Sequence, residues 1–196
     1  MSKKAKKAAE AVLEVDRSAQ QAVLPYAKSK PVKALSWFSE LGDQPQMLTL
    51  SGGVLAAGLL TGQPRLARAG VRMVAAHLLA TAAKNFVKKR VDRTRPRTAK
   101  GKHGHKIKLG RTDTKEETSF PSGHSAGALA VACGFAREFP EHRVAAYAGA
   151  GFIALAQVPR CAHYPTDVGV GLAIGWLSEV GVDRAARLLI GRDATD

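Results

Sequence analysis

The sequence predicts an all-α fold, an up-and-down helical bundle of about five to six helices embedded in a membrane. Alanine and leucine dominate the apolar segments of this 196-residue chain, whereas β-branched residues are scattered, and this pattern disfavours strands. Three long segments carry no charged residue, at positions 44–64, 118–136 and 144–159. A helix that crosses a bilayer needs about 20 mostly apolar residues, so the first segment is long enough by itself. A mean hydropathy of -0.11 leaves a soluble, alanine-rich bundle as the alternative.

Residues 1–43 are predicted to form a basic amphipathic segment that lies at an interface and precedes a single domain of residues 44–192. Acidic residues at positions 10, 14 and 16 interrupt its apolar run, which is not typical of a secretory signal. The whole chain has 30 lysines and arginines against 16 acidic residues, a formal charge of +14. This excess indicates an anionic partner, either nucleic acid, a lipid headgroup surface or a phosphorylated substrate.

The helices of the bundle are predicted from the apolar segments in chain order. Between the second and third helices lies a long loop from about residue 93 to residue 120, since Pro96 prevents a helix from continuing through Arg95. Loops of this length within a domain are usually functional or disordered. We expect five principal helices and an amphipathic tail, at residues 44–62, 66–92, 122–138, 143–158, 167–180 and 182–190.

The first group of polar residues is the basic sequence KKRVDRTRP at positions 88–96. Lys88 would supply a point charge, and Arg95 a planar guanidinium whose paired N–H groups match phosphate oxygens. Together the two residue types provide both an attractive field and a defined orientation for one anion. A solvated or headgroup-contacting basic surface is the alternative interpretation of the same residues.

The second group is PSGH at positions 121–124, at the predicted start of the third helix. The first backbone N–H groups of a helix lack partners within the helix and carry partial positive charge, which suits an anion. Gly123 lets a ligand approach the backbone closely, and the hydroxyl of Ser122 can donate a further hydrogen bond. His124 can then give or take a proton at an oxygen of that anion near neutral pH. Simple capping of the helix is the alternative.

The third group lies in RCAHYPTDVGVG at positions 160–171. Pro165 separates His163 from Asp167, so the two do not form an ordinary helical pair, but the carboxylate at the start of the next helix can reach back to the imidazole. That contact would hold Nδ1–H and leave the Nε2 lone pair exposed as a nucleophile or base. A structural contact at a helix junction is the alternative. Because the helices run up and down, all three groups are expected at one end of the bundle.

The three groups resemble the signatures of the type 2 phosphatidic acid phosphatases, which share a superfamily with bacterial acid phosphatases and vanadium haloperoxidases. The signatures are K-x6-R-P, P-S-G-H and S-R-x5-H-x3-D. The first two are complete here, and the third is met by His163 and Asp167. Its serine and arginine fall on Ala156 and Gln157. Either Arg160, the nearest arginine, takes the missing role, or the site has lost one phosphate-binding cation.

The resemblance implies a metal-independent phosphatase that needs no cofactor and acts on a lipid phosphate monoester or an isoprenoid diphosphate. His163 would attack phosphorus to form a phosphohistidine, and Asp167 would orient it. His124 would protonate the leaving oxygen and later activate water. The physics of phosphoryl transfer agrees, since fixed positive charges can stabilise the transferring group. The implied substrate-binding groups are Lys88, Arg95, Ser122, Gly123 and Arg160.

Other assignments fit the sequence less well. A vanadate-dependent haloperoxidase is usually a much longer protein. A weakened or non-catalytic phosphate- or lipid-binding membrane module stays open because of the departure at Gln157. Nucleic-acid binding by the basic loop is disfavoured, since aromatic residues are nearly absent there. His103 and His105 lack a nearby carboxylate or cysteine that would complete a metal site.

The expected location is a bacterial inner membrane, where the substrate would be an anionic phospholipid or an isoprenoid phosphate. With five spans, the N-terminus and both catalytic loops share one side of the membrane, which holds 22 of the 30 lysines and arginines. Because positive charge favours the cytoplasmic side of a membrane protein, the active site is predicted to face the cytoplasm.

Overall fold

The computed structural model describes residues 3–99, 106–110, 114 and 116–193, and within these residues the protein is mostly helical. Short 3-10 turns follow α1, α2 and α5, and several helices begin with a proline in the first turn, where its missing N–H is not needed. The helices of the described residues are α1 (Lys3–Val23), α2 (Lys30–Ser39), α3 (Gln44–Leu60), α4 (Pro64–Lys88), α5 (Gly123–Glu138), α6 (Arg143–Ala156) and α7 (Pro165–Asp193).

The middle of the bundle is formed by α4 and α5, which pack on each other and on α7, while α3 packs on α4 and α6 packs on α5. Small residues allow these helices to approach closely. A Cβ atom on Gly134 would lie 2.9 Å from the backbone nitrogen of Met73, and one on Gly175 would lie 2.4 Å from the carbonyl oxygen of Ala126. Larger residues there would force the helices apart. The small-residue composition of α5 therefore serves packing, and its polar first turn lies at one end of the bundle.

The predicted helices agree with the structure in order and position, and the mostly helical architecture is confirmed. The described residues contain seven α-helices rather than five or six, because the first 43 residues include α1 and α2. The predicted fifth helix and the amphipathic tail form one continuous helix, α7. Helix α4 ends at Lys88 instead of residue 92, because the chain there turns into a strand. None of the helices in the described ranges has both the length and the apolar character required to cross a bilayer.

A two-stranded antiparallel ribbon occupies part of the predicted loop, so the described residues are not purely helical. Strand β1 (Val91–Arg93) pairs with β2 (Ile107–Leu109). Gly110 follows β2 and leaves room for the buried Asp92, since a Cβ atom on this glycine would lie 1.8 Å from Asp92 Oδ2. Three-residue strands carry too few positions to show an alternating pattern, which is why the sequence did not indicate them. The ribbon leads the chain from α4 directly to Arg95.

Candidate active site

A cavity of about 370 Å³ lies where the C-terminal end of α4, the N-terminal end of α5 and the connection between α6 and α7 meet. This is the end of the bundle at which the three groups of polar residues were expected. Two of the eight predicted residues, Ser122 and Asp167, are buried behind the cavity wall. The other six line the cavity: Lys88, Arg95, Gly123, His124, Arg160 and His163.

Helix α4 contributes a polar stripe of four residues, of which Lys88 was predicted and the other three were not. His77, Thr81, Lys84 and Lys88 all line the cavity and follow one another at intervals of four, three and four residues. This spacing places them on one face of the helix. The cavity therefore extends from Lys88 at the helix end toward His77, whose imidazole is buried. The recurrence of polar residues at these intervals in the second half of α4, between apolar residues, is the sequence signal that would have revealed them.

His163 lies in the connection between α6 and α7 and is only 4% exposed. Its Nδ1 atom is 2.6 Å from the backbone carbonyl oxygen of Ser119. Since a carbonyl oxygen can only accept, Nδ1 carries the proton and Nε2 presents its lone pair. Burial lowers the pKa of His163, while the carboxylate of Asp167 opposes this shift. The imidazole is therefore neutral and oriented, as a nucleophile requires.

The predicted hydrogen bond between His163 and Asp167 is replaced by a longer contact. Nδ1 lies 3.7 Å from Asp167 Oδ2, and that oxygen instead accepts from the backbone N–H of Tyr164 at 2.9 Å. Tyr164 immediately precedes α7 and Asp167 lies in its first turn, so this contact is the reach-back of a helix N-terminus. Asp167 therefore places a negative charge beside His163, while the Nδ1 proton is donated to Ser119.

Behind Asp167 lies a buried ionic network that reaches the N-terminal helix. Arg93 Nη1 donates to Asp167 Oδ1 at 2.5 Å and to Thr166 Oγ1 at 2.7 Å. Its Nη2 forms an ion pair with Asp16 of α1, and both partners are buried. Asp16 also accepts from the backbone N–H of Thr166 at 3.1 Å. Helix α1 therefore helps to support the site through Asp16. No local sequence pattern around Asp16 indicated this role.

His124, in the first turn of α5, faces a wall formed by the chain between α2 and α3. Its Nε2 lies 2.9 Å from Asp43 Oδ1, close enough for an ion pair but without hydrogen-bond alignment. This chain approaches closely because Gly42 has no side chain: a Cβ atom there would lie 2.4 Å from Ile153 Cγ2. Burial lowers the pKa of His124 to about 4, and the charge of Asp43 acts in the opposite direction. Asp43 lies outside the three predicted groups.

Asp43→Asn is expected to move the pH dependence of catalysis toward acid. Asp43 raises the pKa of His124, so its neutralisation lowers that pKa further and depletes the protonated imidazole that a general acid requires. The alkaline limb of the kcat/KM profile should shift to lower pH, and a shift of one unit would reduce kcat/KM on that limb about tenfold. Glu141→Gln changes an exposed carboxylate at the opposite end of α5 and is the control. An unmoved alkaline limb in Asp43→Asn would contradict this role.

Lys88 and Arg95 form the basic side of the cavity. The Arg95 guanidinium donates to the carbonyl oxygens of Ala162 at 3.1 Å and Thr118 at 3.4 Å, which holds it beside the His163 loop. Burial lowers the pKa of Lys88 to about 8, and the neighbouring charges of Lys84 and Arg95 add to this shift. Cations that lower the pKa of one another in this way are stabilised when an anion binds between them.

Arg160 and Gln157 both line the cavity, so the structure brings together the two alternatives for the third signature. Arg160 Nη1 donates to the hydroxyl of Ser39, and its Nη2 lies 3.9 Å from Glu40 Oε1. Gln157 is fully buried and donates through Nε2 to the carbonyl oxygen of Ile153 at 2.9 Å. Its Oε1 has no hydrogen-bond partner among the described residues. The position that holds arginine in the signature is therefore neutral here.

Ser122 and Gly123 shape the N-terminus of α5 in different ways. Ser122 is the N-cap: its Oγ accepts from the backbone N–H of Ser125 at 3.4 Å and from the Ser125 hydroxyl at 2.9 Å. This geometry corresponds to the capping alternative, and the buried hydroxyl does not line the cavity. Gly123 does line it, and a Cβ atom there would come within 3.4 Å of Lys84 Nζ. This is an ordinary van der Waals distance, and it places the Lys84 ammonium group beside the helix N-terminus.

Within the part of the chain that the structure describes, no cluster of three or more His, Cys, Asp or Glu side chains is arranged to hold a metal ion. His103 and His105, considered above as a metal-binding pair, lie outside the described residues. The positive charge that the structure places at the cavity comes from lysine and arginine side chains.

Two histidines and a set of cations around one cavity at the end of a helical bundle define a candidate site for phosphoryl transfer. The chain belongs to the PAP2 superfamily, whose sequence model matches residues 69–185. This range contains all three groups of polar residues, and the match confirms the family that the signatures indicated.

Curated proteins with similar sequences are consistent with this family. Lipid A 1-phosphatases of Rhizobium etli and Rhizobium johnstonii are each 49% identical over 61 residues, which is 31% of this chain. The match covers 26% and 25% of those proteins, so the chain spans about a quarter of the curated relatives' length.

Two solved structures share the fold. The crystal structure of Aquifex aeolicus LpxE has a TM-score of 0.60 at 20% identity, covering 86% of this chain and 92% of that one. A transmembrane PAP2-type phosphatidylglycerolphosphate phosphatase from Bacillus subtilis has a TM-score of 0.59 at 21% identity, covering 89% and 87%. At these identities the likeness shows a common fold.

Proposed function

We propose that the protein is a PAP2-type phosphatase that releases phosphate from a lipid phosphate monoester or an isoprenoid diphosphate without a metal ion. The observation that carries the proposal is the convergence of His163, His124 and several cations on one cavity. One imidazole presents a lone pair, and the other lies beside a carboxylate that favours its protonated form. Such a cavity offers one tetrahedral anion a nucleophile, a proton donor and a positive field.

The reaction proceeds in two steps. In the first, Nε2 of His163 attacks phosphorus, the bond from phosphorus to the ester oxygen breaks, and His124 gives that oxygen a proton. Nδ1 keeps its proton, so the phosphorylated ring is positively charged and Asp167, 3.7 Å away, stabilises it. In the second, neutral His124 takes a proton from water as the water oxygen attacks phosphorus and the N–P bond breaks. Inorganic phosphate leaves, and both imidazoles regain their starting forms.

The non-bridging phosphate oxygens are bound by the cations and by the first turn of α5. Lys88 and Arg95 approach from the end of α4 and the ribbon, Arg160 from the end of α6, and the N–H of Gly123 from the start of α5. Phosphoryl transfer spreads negative charge over these oxygens in the transition state. Cations held in place beforehand stabilise that charge without reorganising during the reaction.

The protein is proposed to meet its substrate in a bacterial inner membrane, with α3–α7 in contact with lipid. Many large apolar side chains are exposed on these helices, and extensive exposed apolar surface marks interaction sites. The exposed Trp37 near the cavity end supports an interface at that level, since Trp and Tyr of membrane proteins concentrate at the headgroups. The charge count described above favours the cytoplasmic side. Phe38 and Phe86 are exposed as well and add to the apolar surface.

The purified protein is expected to release inorganic phosphate from lipid phosphates in mixed micelles, in excess chelator as well as without it. Side-chain cations supply the positive field, so removing divalent metal should leave the rate unchanged, whereas vanadate should inhibit by filling the same cavity. A panel of phosphatidic acid, phosphatidylglycerol phosphate, lipid A and an isoprenoid diphosphate would identify the preferred substrate. A His163→Ala preparation purified in the same way controls for contaminating phosphatases. Loss of activity in chelator, with recovery on adding magnesium, would contradict the proposed mechanism.

A phosphate- or lipid-binding module without catalysis is the second candidate function, and the neutral Gln157 in the cavity wall favours it. This candidate predicts saturable binding of vanadate or lipid phosphate with no release of phosphate from any substrate of the panel. A haloperoxidase would instead oxidise bromide with hydrogen peroxide once loaded with vanadate. Assays of phosphate release, vanadate binding and bromide oxidation on the same purified protein therefore distinguish the three candidate functions.

A further inference from the structure

We infer that Lys84 is a phosphate-binding residue of this site and supplies positive charge that Gln157 does not. The inference rests on the proposed phosphatase function. Lys84 lies one helical turn before Lys88 on the same face of α4, and both residues line the cavity together with His163 and His124. None of the three predicted groups contains it.

The side chain of Lys84 reaches the N-terminus of α5. Its Cδ and Nζ atoms are each 3.4 Å from the position that a Cβ atom on Gly123 would occupy. The ammonium group therefore lies beside the first turn of a helix, where the partial charge of the backbone N–H groups is also positive. Two neighbouring positive groups, here the ammonium group and the helix N-terminus, repel each other unless an anion lies between them. The arrangement is the one expected around a bound phosphate oxygen.

The charge balance of the cavity supports the same conclusion. Among the described residues, Lys84 forms no ion pair through its side chain, and the acidic charge that acts on it is that of Asp43. Asp43 is the one acidic residue in the described lining, and it lies 2.9 Å from His124. Five basic residues line the same cavity against this one carboxylate, so the described lining carries an excess of positive charge. They are Lys84, Lys88, Arg95, Arg97 and Arg160.

Gln157 leaves its own position in the cavity wall without the cation that the third signature places there. Its amide is neutral, its Nε2 donates to Ile153, and its Oε1 is a buried acceptor, so it brings no positive charge to a phosphate oxygen. Three non-bridging oxygens share the negative charge of a transferring phosphoryl group. The third signature would place a cation on the α6 side of the cavity, at position 157. Lys84 instead adds a cation on the α4 side.

Lys84→Gln tests the inference. We expect kcat/KM to fall by about 10²-fold, the effect of removing one electrostatic donor from an active site, and inhibition by vanadate to weaken. Lys84→Arg keeps the charge and should retain most of both properties. Lys89→Gln is the matched control, because it removes the same charge from an exposed position just after α4 and should change neither. Thermal unfolding of each variant verifies that it is folded.

A second substitution separates charge from structure. In Lys84→Gln/Gln157→Arg the lost charge returns from the α6 side, and we expect kcat/KM and vanadate affinity to recover at least about tenfold relative to Lys84→Gln alone, part of the contribution of one donor. A lysine that only supports the fold would not be rescued by an arginine on a different helix. If the double variant shows no recovery, the inference that Lys84 supplies the positive charge missing at position 157 is wrong.

The remaining outcomes distinguish this inference from the proposed function. If Lys84→Gln keeps its kcat/KM and vanadate affinity, the inference is wrong although the wild-type protein is still a phosphatase. If Lys84→Gln loses activity but binds vanadate as the wild type does, Lys84 is structural and the inference is again wrong. If the wild type releases no phosphate but Lys84→Gln weakens vanadate binding, the catalytic proposal fails and Lys84 stands as an anion-binding residue.

Discussion

Replacing His163 with alanine is expected to reduce phosphate release by at least about 10⁴-fold, comparable to losses on removing the nucleophile of other covalent enzymes. The substitution deletes the Nε2 atom that would bond to phosphorus, and the proposed two-step route then has no intermediate. Because His163 is buried and held by Ser119, an added small imidazole would enter the vacated space without the same orientation. Initial rates with the best substrate of the panel measure the loss.

The control for this prediction is His142→Ala, which removes an exposed histidine at the opposite end of α5 and should keep the wild-type rate. A chemical readout accompanies the rate. Quenching with alkali should trap a phosphoenzyme that acid destroys, as for a phosphorus–nitrogen bond, in the wild type and in His124→Ala given an activated aryl phosphate. His163→Ala should show none. Wild-type hydrolysis by His163→Ala would end the phosphohistidine proposal.

The three signature groups were predictable because each combines reactive side chains with a local rule of chain geometry. Pro96 keeps Arg95 out of a helix, and the strand that replaces the predicted end of α4 keeps this arginine at the cavity. Pro165 starts α7 just after His163, which leaves the imidazole in a connection at the end of the bundle. Alternation of the helix directions then brings the groups together without any long-range information.

The remaining parts of the site depend on contacts between segments far apart in the chain. Asp43 reaches His124 because Gly42 allows the connection between α2 and α3 to come close, and no motif marks that approach. The partner of His163 Nδ1 is the backbone carbonyl of Ser119, and a backbone acceptor has no signature in the sequence. Lys84 is an intermediate case, since the polar periodicity of α4 is visible but does not say what the stripe faces.

The N-terminal segment gives the largest expected effect on stability. Asp16→Ala is expected to lower the free energy of unfolding by about 3 kcal/mol, because the buried guanidinium of Arg93 loses one of its carboxylate partners. The backbone N–H of Thr166 in the first turn of α7 loses its acceptor as well. For a chain of this size the melting temperature should fall by about 6–12 °C. Thermal unfolding of the variant and the wild type in the same buffer measures the change.

Glu14→Ala is the matched control, since it removes an exposed carboxylate from the same helix and should leave the melting temperature unchanged. Arg93 also binds Asp167, so the loss of Asp16 is expected to loosen the carboxylate beside His163 and to lower kcat more than it changes KM. Equal melting temperatures for the two variants would mean that α1 contacts the bundle without stabilising it through Asp16. A lower melting temperature together with a lower kcat would instead make α1 part of the catalytic domain, because one buried guanidinium then holds both the N-terminal helix and the carboxylate at the nucleophile.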